Sequence, residues 1–335
     1  MDLKLLLKRG GLLTAANWPI VAIQFAAQTT FQALLAVPII GAAILVAVLL
    51  GADLANLLQG SLRDIFTTIA DALTAEPVAF GAFIAAFGIV LVGGSILMFL
   101  VKGGTVDAIL GADAVAGPIE HEALTLANVR QASCFTVERF VSACRRLFRR
   151  YVVLGFALIL TYAVSGAAYL AFIVYGYRAA GESGFIVGWT LIAALSAVGL
   201  VLWITTVNLL YLLLQIVTAA DDLPFTQAVR AVARFIRAEF LELGGVFLVV
   251  FGMVVGATLA SALAWSGVGL IAFVPLVGLA VFPLQIAALL LRGLVFEYIG
   301  LTATGAYVTL YRRYAAREAV MHGIPASMAR SPSTG

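Results

Sequence analysis

The sequence predicts an all-α, polytopic membrane protein with six transmembrane helices, arranged as three hairpins with amphipathic helices at the cytoplasmic surface. Of its 335 residues, 63% are hydrophobic and only 11% are charged, whereas a soluble domain is about 25% charged. The apolar runs are continuous and do not alternate, so the spans are helices rather than strands of a closed barrel. The positive charges lie almost entirely between alternate runs, as they do in multi-pass proteins.

The apolar runs define six spans in a single transmembrane domain over residues 1–320, followed by a disordered tail over 321–335. The predicted spans cover residues of about 20–50, 78–101, 151–177, 185–220, 243–265 and 285–311. Each run reaches or exceeds the roughly 20 residues of helix that cross a bilayer core. The segment 51–77 is predicted as an exposed outer connection. The uncharged segment 266–284 contains two prolines and is either a broken outer connection or a shallow re-entrant piece.

Charge sets the orientation. With both termini cytoplasmic, 17 of the 20 Lys and Arg residues lie on the inner side, whereas Arg63 and Arg178 lie outside and Arg292 lies within the last span. Lys and Arg concentrate in cytoplasmic segments. A rival arrangement with a turn at Arg292 would export the basic pair Arg312–Arg313. We therefore expect a multi-pass protein of a prokaryotic cytoplasmic membrane with both ends in the cytoplasm.

The last span, residues 285–311, contains the two charges that cannot be placed outside a membrane, Arg292 and Glu297. Glu297 is expected near the membrane midplane. The two residues lie roughly 140° apart around a helix, so each is expected to face another helix. Glu297 either belongs to an ion, proton or substrate site or is a carboxyl group that locks two helices together.

Other spans carry polar or small residues at helical spacing. Two polar arcs are formed by Gln24, Gln28 and Gln32 on the first span and by Asn208, Tyr211, Gln215 and Thr218 on the fourth. Such arcs either hydrogen-bond between helices or line a hydrated pathway. On the fifth span, Gly252, Gly256 and Ala260 recur at a spacing of four and form a small-residue seam that favours contact between helices.

Three basic amphipathic helices are predicted at the inner membrane surface. The first covers residues 1–17, with Lys4, Lys8 and Arg9 among leucines. The other two lead into spans, and their arginines are expected to contact anionic headgroups: Arg139, Arg146, Arg150, Arg230, Arg234 and Arg237. Their predicted apolar stripes are Phe140, Cys144, Leu147 and Tyr151 in one helix and Val229, Val232, Ile236 and Phe240 in the other. A nucleic-acid partner is not expected, since these arginines adjoin transmembrane helices.

The two later amphipathic helices form part of an internal repeat. Phe135-Thr136 and Phe225-Thr226 are 90 residues apart, and at this offset Gly155 matches Gly245. Each dipeptide precedes a basic helix that leads into a hairpin of two spans. The segment before Trp18 is a candidate third copy, which gives three hairpins, each with a surface helix.

The remaining polar residues give no sign of catalytic chemistry. Lys102 to Pro118 is predicted as loop and short helix, and Glu120-His121-Glu122 as a solvated surface feature. The two cysteines, with distant histidines at 121 and 322, do not have the spacing of a metal site. We therefore predict no catalytic residue, no metal and no cofactor.

The repeated turn, Phe-Thr, helix and hairpin, the late prolines and the ending Thr309-Leu310-Tyr311-Arg312-Arg313 resemble a known membrane family. This is the six-helix integral membrane family named after the membrane domain of glycerophosphodiester phosphodiesterases. The resemblance implies the six-helix membrane part alone, since the longest predicted segment between spans, residues 102–150, is too short for a catalytic barrel.

These observations predict a non-catalytic integral membrane protein, an accessory, assembly or scaffold component that packs with a membrane-protein partner or with a second copy of itself. Glycine seams and basic surface helices favour this interpretation. The alternative is a transporter, channel or lipid-handling protein that uses the polar faces around Glu297.

Overall fold

The computed structural model of the protein describes residues 2–50, 77–122, 125, 129–130, 132–272 and 277–321. These residues form eight helices and no strand. The helices are α1 (Leu3–Ala16), α2 (Trp18–Leu50), α3 (Pro77–Val115), α4 (Val137–Ser183), α5 (Ile186–Asp221), α6 (Phe225–Ala238), α7 (Phe240–Ala272) and α8 (Val277–Met321). Six of them are long and apolar enough to cross a membrane. The predicted all-α, polytopic membrane fold is confirmed.

One predicted boundary was wrong because the helix continues through polar residues that were taken to lie outside it. The α3 helix extends to Val115, so Lys102–Val115 is helix rather than loop. No proline lies between Pro77 and Pro118, and glycines in this stretch allow α4 to approach closely. At Gly104, a Cβ atom would lie 2.6 Å from Sγ of Cys144. The α4 helix runs without a break from Val137, so the basic amphipathic helix continues directly into its span, as predicted.

The chain divides into two compact units, one of residues 25–101 and one of the residues up to Gln24 together with those from Lys102 onward. In the smaller unit, the ring of Phe31 occupies the space that a side chain at Gly94 would need. Glycine there permits the packing of α2 on α3. In the described part of α2, the helix continues through Pro38.

The buried core of the larger unit lies where α1, the end of α3, the start of α4, the end of α5, α6 and the end of α8 meet. Its largest fully buried side chains include Leu6, Leu13, Leu147, Tyr151, Phe235 and Leu310. Within this unit, α4 packs against α5, and α7 packs against α8. These pairs are the second and third predicted hairpins.

The sequence predicted α1 at the inner membrane surface and did not predict a contact with α8. In the structure, α1 packs along α8, with Leu6 and Leu13 buried. At Gly10, a Cβ atom would lie 2.8 Å from the backbone N of Ala306 and closer still to the carbonyl oxygen of Thr302. The two backbones approach this closely because Gly10 has no side chain.

The α6 helix has three distinct faces. Ala228, Ala231, Val232 and Phe235 are buried; Phe225 and Val229 are exposed apolar residues; and Arg230, Arg234 and Arg237 are exposed on the third side. The buried face therefore differs from the predicted apolar stripe, of which Val229 and Phe240 are exposed. A helix that packs on protein by one face can still present an apolar edge and adjacent arginines to a bilayer surface.

The start of α4 repeats this design. Phe140, Cys144 and Leu147 are buried, as are Ala228, Val232 and Phe235 of α6. The helices begin at Val137 and Phe225, which are 88 residues apart. The structural register of the repeat is therefore 88 residues rather than the predicted 90.

Three predictions lie outside the described residues, wholly or in part. They are the outer connection before Pro77, the tail from residue 322 onward and residues 273–276 of the segment 266–284, for which a broken or re-entrant connection was predicted. On either side of this last connection, α7 ends at Ala272 and α8 begins at Val277.

Candidate functional site

A cluster of buried charges joins α1, α3 and α8 around Arg9. Nε of Arg9 donates to Oδ1 of Asp113 at 2.7 Å, and Nη1 donates to Oε2 of Glu120 at 2.6 Å. The guanidinium also donates to the backbone carbonyls of Gly117 at 2.5 Å and of Asp113 at 3.1 Å. Arg9, Asp113 and Glu120 are 7%, 8% and 4% exposed. They form a buried ion triad whose hydrogen bonds offset the cost of removing charge from water.

The basic end of α8 borders this triad. The hydroxyl of Thr309 donates to Oδ1 of Asp113 at 2.9 Å. Nη1 of Arg312 lies 3.5 Å from Oδ2 of Asp113, and Nη2 of Arg313 lies 3.6 Å from Oε1 of Glu120. A cleft of about 360 Å³ opens between these groups. We call Arg9, Asp113, Glu120, Thr309, Arg312 and Arg313 the charge cluster.

Sequence reasoning missed the charge cluster. The prediction of a solvated Glu120 was wrong, since this side chain is buried against Arg9. Arg9 lies on the buried stripe of α1, three residues after Leu6 and four before Leu13. That spacing could have indicated that Arg9 is buried, because it places a charge on an apolar helix face. The partners of Arg9 lie 104 and 111 residues away in the sequence, so the pairing itself carries no local pattern.

The charge cluster shifts the pKa of two of its members. Burial opposes the charged form of Arg9, but the carboxylates of Asp113 and Glu120 outweigh it and raise the pKa of the guanidinium. Burial also opposes the charged form of Glu120. Hydrogen bonds from its own backbone and from Arg9 outweigh this effect and lower the pKa of the carboxyl group. Both groups therefore stay charged at neutral pH.

Glu120 should make the stability of the protein fall in acid. Because the folded-state pKa is below the ordinary value of 4.5, the stabilisation is complete above that value and is lost as pH falls through the lowered pKa. We expect the melting temperature in detergent to fall less steeply for Glu120→Gln than for the native protein between about pH 6 and pH 3.

The control for this measurement is Glu122→Gln, because Glu122 is exposed and offers its backbone carbonyl, at 3.4 Å, to Lys8. This variant should keep the acid dependence of the native protein. The charged and titratable groups around Glu120 are Arg9, Arg313, His121 and Lys8. Identical pH profiles for the native protein and Glu120→Gln would contradict the prediction.

Glu297 has a basic residue of another helix within electrostatic range. Its carboxylate and the ammonium group of Lys102 on α3 attract each other, and both side chains are half-buried. Lys102 was predicted at the inner surface, but it lies within the continuous α3 helix. The structure thus places Glu297, which the sequence singled out, within electrostatic range of Lys102, which it did not.

Arg292 does not face another helix in the described part of the chain, so that prediction was wrong. Its guanidinium lies 5.6 Å from the ring centroid of Phe296, one turn further along α8, and its side chain is exposed. A cation over an aromatic face gains electrostatic attraction within the same helix.

The predicted glutamine arc of α2 divides into different environments. Gln24 is buried, and its Oε1 accepts a hydrogen bond from the hydroxyl of Thr105 at 3.2 Å. Gln28 is half-buried and Gln32 is exposed. The hydrogen bond of Gln24 joins α2 to α3, which is the helix-contact role considered for this arc.

The polar arc of α5 makes contacts with α4. The hydroxyl of Tyr162 donates to Oδ1 of Asn208 at 2.5 Å. The hydroxyl of Tyr151 donates to the backbone carbonyl of Gln215 at 2.9 Å, and the side chain of Gln215 is buried. Both contacts hold the α4–α5 hairpin together.

The predicted lipid-facing arginines differ in their partners. Arg146 pairs with Asp107 at 2.6 Å, and Arg150 pairs with Asp222. Arg139, Arg230, Arg234 and Arg237 are exposed. Exposure leaves these four side chains accessible to headgroups.

The helices and their contacts define a multi-pass, α-helical integral membrane protein. Comparison with known proteins finds no matching family model, no matching curated protein and no matching solved structure. Membership of the six-helix family therefore stays a prediction. Among the residues that the structure describes, no group of three His, Cys, Asp or Glu side chains is placed to hold a metal ion.

Proposed function

We propose that the protein is a non-catalytic integral membrane protein, an accessory, assembly or scaffold component that packs with a membrane-protein partner. The observation that supports this most directly is the open surface of the α4–α5 hairpin. In the most apolar 18-residue stretch of α4, and in that of α5, no residue is buried. Apolar helix faces in a bilayer associate through close packing with other helices.

The small-residue seam of α7 offers a place for such a partner. A Cβ atom at Gly252 or Gly256 would meet no atom within 4 Å. In the described part of the chain the seam is therefore open, in contrast to Gly10, which α8 covers. Small residues on an exposed membrane helix allow another helix to approach closely, so the proposed partner is a transmembrane helix.

Substitution of Gly256 by Leu should remove the partner and leave the fold intact. The native protein, purified in mild detergent and examined by mass spectrometry, is expected to retain a stoichiometric membrane-protein partner. Gly256→Leu should retain at least about tenfold less, since overpacking a close helix contact costs more than 1.4 kcal/mol.

Gly300→Leu on α8 is the matched control, because that glycine is exposed and also has open space around it but lies outside both the seam and the α4–α5 hairpin. It should keep the partner at the native level. A native preparation that contains a clean monomer alone would overturn the proposal, as would equal retention by Gly256→Leu.

We also propose that both ends lie in the cytoplasm of a prokaryotic cell, and that the arginines of α4 and α6 contact anionic headgroups. The ion pairs Arg9–Asp113, Arg150–Asp222 and Arg317–Glu239 gather the basic segments at one end of the larger unit. Positive charge on one side of the spans supports this orientation. Membership of the six-helix membrane family belongs to the same proposal.

A second candidate function is supported by the pair Lys102–Glu297. Charged residues within transmembrane helices are costly, and they frequently mark ion or substrate pathways. Here the two charges come from α3 and α8, and both are half-buried. The corresponding proposal is a transporter, channel or lipid-handling protein with its polar site at this pair.

Under this second proposal, Glu297→Gln should insert normally into liposomes but lose ion- or substrate-dependent flux. The double variant Glu297→Gln/Lys102→Gln separates loss of function from the cost of an unpaired lysine. Glu182→Gln, at an exposed position near the end of α4, is the isosteric control and should keep native flux. Unchanged flux in Glu297→Gln would remove this candidate.

A further inference from the structure

We propose that the cleft of the charge cluster binds a phosphate group, with Arg312 and Arg313 as the residues that recognise it. The cleft, of about 360 Å³, is lined by Arg9, Arg312 and Arg313 together with Thr309. Clefts of this size hold small ligands, and guanidinium groups match phosphate oxygens in charge and geometry.

The charges of the cleft do not balance. Three guanidinium groups face two carboxylates, those of Asp113 and Glu120, which leaves one positive charge in excess. Lys8 lies at the border of the cluster, and its ammonium group donates to the backbone carbonyl of Glu120 at 2.7 Å. This lysine adds further positive charge without a carboxylate of its own in the cluster. An anion in the cleft would therefore meet a favourable field.

The carboxylates of Asp113 and Glu120 are both hydrogen-bonded to Arg9. Hydrogen bonds of 2.7 Å and 2.6 Å join Arg9 to Asp113 and Glu120. By contrast, the distances from Arg312 and Arg313 to the same carboxylates are 3.5 Å and 3.6 Å, beyond the usual hydrogen-bond range of about 2.7–3.2 Å. Arg9 is thus the cation that holds the two carboxylates in place. Arg312 and Arg313 interact with these carboxylates through charge alone.

The two arginines are also accessible. Their side chains are each 38% exposed, compared with 9% for Arg9. An exposed arginine elsewhere in the same unit, Arg146, is instead fixed to Asp107 at 2.6 Å. Arg312 and Arg313 therefore have donors available for a ligand. Turning toward it would cost them only a weak, exposed attraction to the carboxylates.

The position of the cleft indicates which phosphates can reach it. Arg312 and Arg313 directly follow the predicted span, which ends at Tyr311, and basic residues at the end of a span lie at the headgroup layer. At this level the phosphodiester of an anionic lipid and a soluble phosphate ester present the same chemistry. The proposal is a site for a phosphate-bearing headgroup, and the experiment has one arm for each source.

The test uses the full chain in nanodiscs. In the first arm, native mass spectrometry measures phosphatidylglycerol retained by protein from mixed phosphatidylglycerol and phosphatidylcholine discs. In the second arm, calorimetry measures binding of glycerol 3-phosphate to protein in discs of phosphatidylcholine alone. Arg312→Gln/Arg313→Gln should weaken whichever binding is observed by at least about tenfold. The affinity of Arg312→Lys/Arg313→Lys should lie between those of the native protein and the double glutamine variant. The lysines keep the charge, but they lack the planar guanidinium group that binds two oxygens at once.

Arg178→Gln/Arg292→Gln is the matched control, since it removes the same charge at two exposed positions outside the cleft and should leave binding unchanged. Retention of phosphatidylglycerol alone would identify a lipid headgroup as the ligand, and binding of glycerol 3-phosphate would identify a soluble ester. No binding in either arm, or equal losses in both double glutamine variants, would overturn the proposal. This outcome is independent of partner retention by the α7 seam.

Discussion

Gly10→Ala is expected to destabilise the protein by about 3 kcal/mol, because the added methyl group would overlap the backbone of α8. A Cβ atom at this position would lie 2.8 Å from the backbone N of Ala306. Backbone cannot move aside as the end of a flexible side chain can, so the two helices must separate. The free energy of unfolding, from denaturation in mixed detergent followed by circular dichroism, measures the effect.

The neighbouring glycine supplies the control. At Gly11 the closest atom to a Cβ would be the hydroxyl of Tyr298 at 3.6 Å, an ordinary contact distance. Gly11→Ala should therefore leave the packing intact and gain up to about 1 kcal/mol from the helix propensity of alanine. Gly305→Ala, whose Cβ would lie 2.9 Å from Cα of Gly10, should resemble Gly10→Ala. Equal stability of the Gly10 and Gly11 variants would contradict the predicted close crossing.

Arg9→Ala should cost roughly 3–5 kcal/mol, since it leaves two buried carboxylates without their cation. The same denaturation measurement applies. Arg9→Met combined with Asp113→Asn and Glu120→Gln should recover part of this loss, because no buried carboxylate then remains unpaired.

Arg146→Ala separates the effect of burial from that of an ion pair as such. Its bond to Asp107, at 2.6 Å, is as short as those of Arg9, but the Arg146 side chain is 46% exposed. Exposed pairs contribute about 0–1 kcal/mol, so this variant should remain near native stability. Similar losses for Arg9→Ala and Arg146→Ala would show that the cluster does not behave as a buried triad.

The spans could be predicted from the sequence because a bilayer requires long apolar helices, and the composition of each run is a local property. The continuation of α3 through Lys102 could not, because a lysine after an apolar run resembles the end of a span whether or not the helix continues. Glu297 shows the same limit. Its charge was evident, but its partner depends on which helices pack together, and lipid-facing and protein-facing residues are equally apolar in membranes.

The contact of α1 with α8 could not be predicted for a related reason. An amphipathic segment with Lys4, Lys8 and Arg9 fits a membrane surface as well as it fits the edge of a helix bundle. The glycine at position 10 distinguishes the two, since a surface helix has no need for close backbone approach. Arg9 on the stripe of Leu6 and Leu13 is the second indication. Neither feature identifies α8 as the partner.

The docking of α1 on α8 constrains the order in which the protein assembles in the cell. The hydrogen bond from the hydroxyl of Tyr298 to the carbonyl of Gly11 joins residues 287 positions apart. At about 5–20 residues per second, the ribosome needs roughly 15–60 s to synthesise the chain between them. Throughout that interval the first helix has no groove to enter, and Arg9 has no acid to neutralise until α3 emerges. The contact between α1 and α8 must therefore form after the intervening spans have been synthesised.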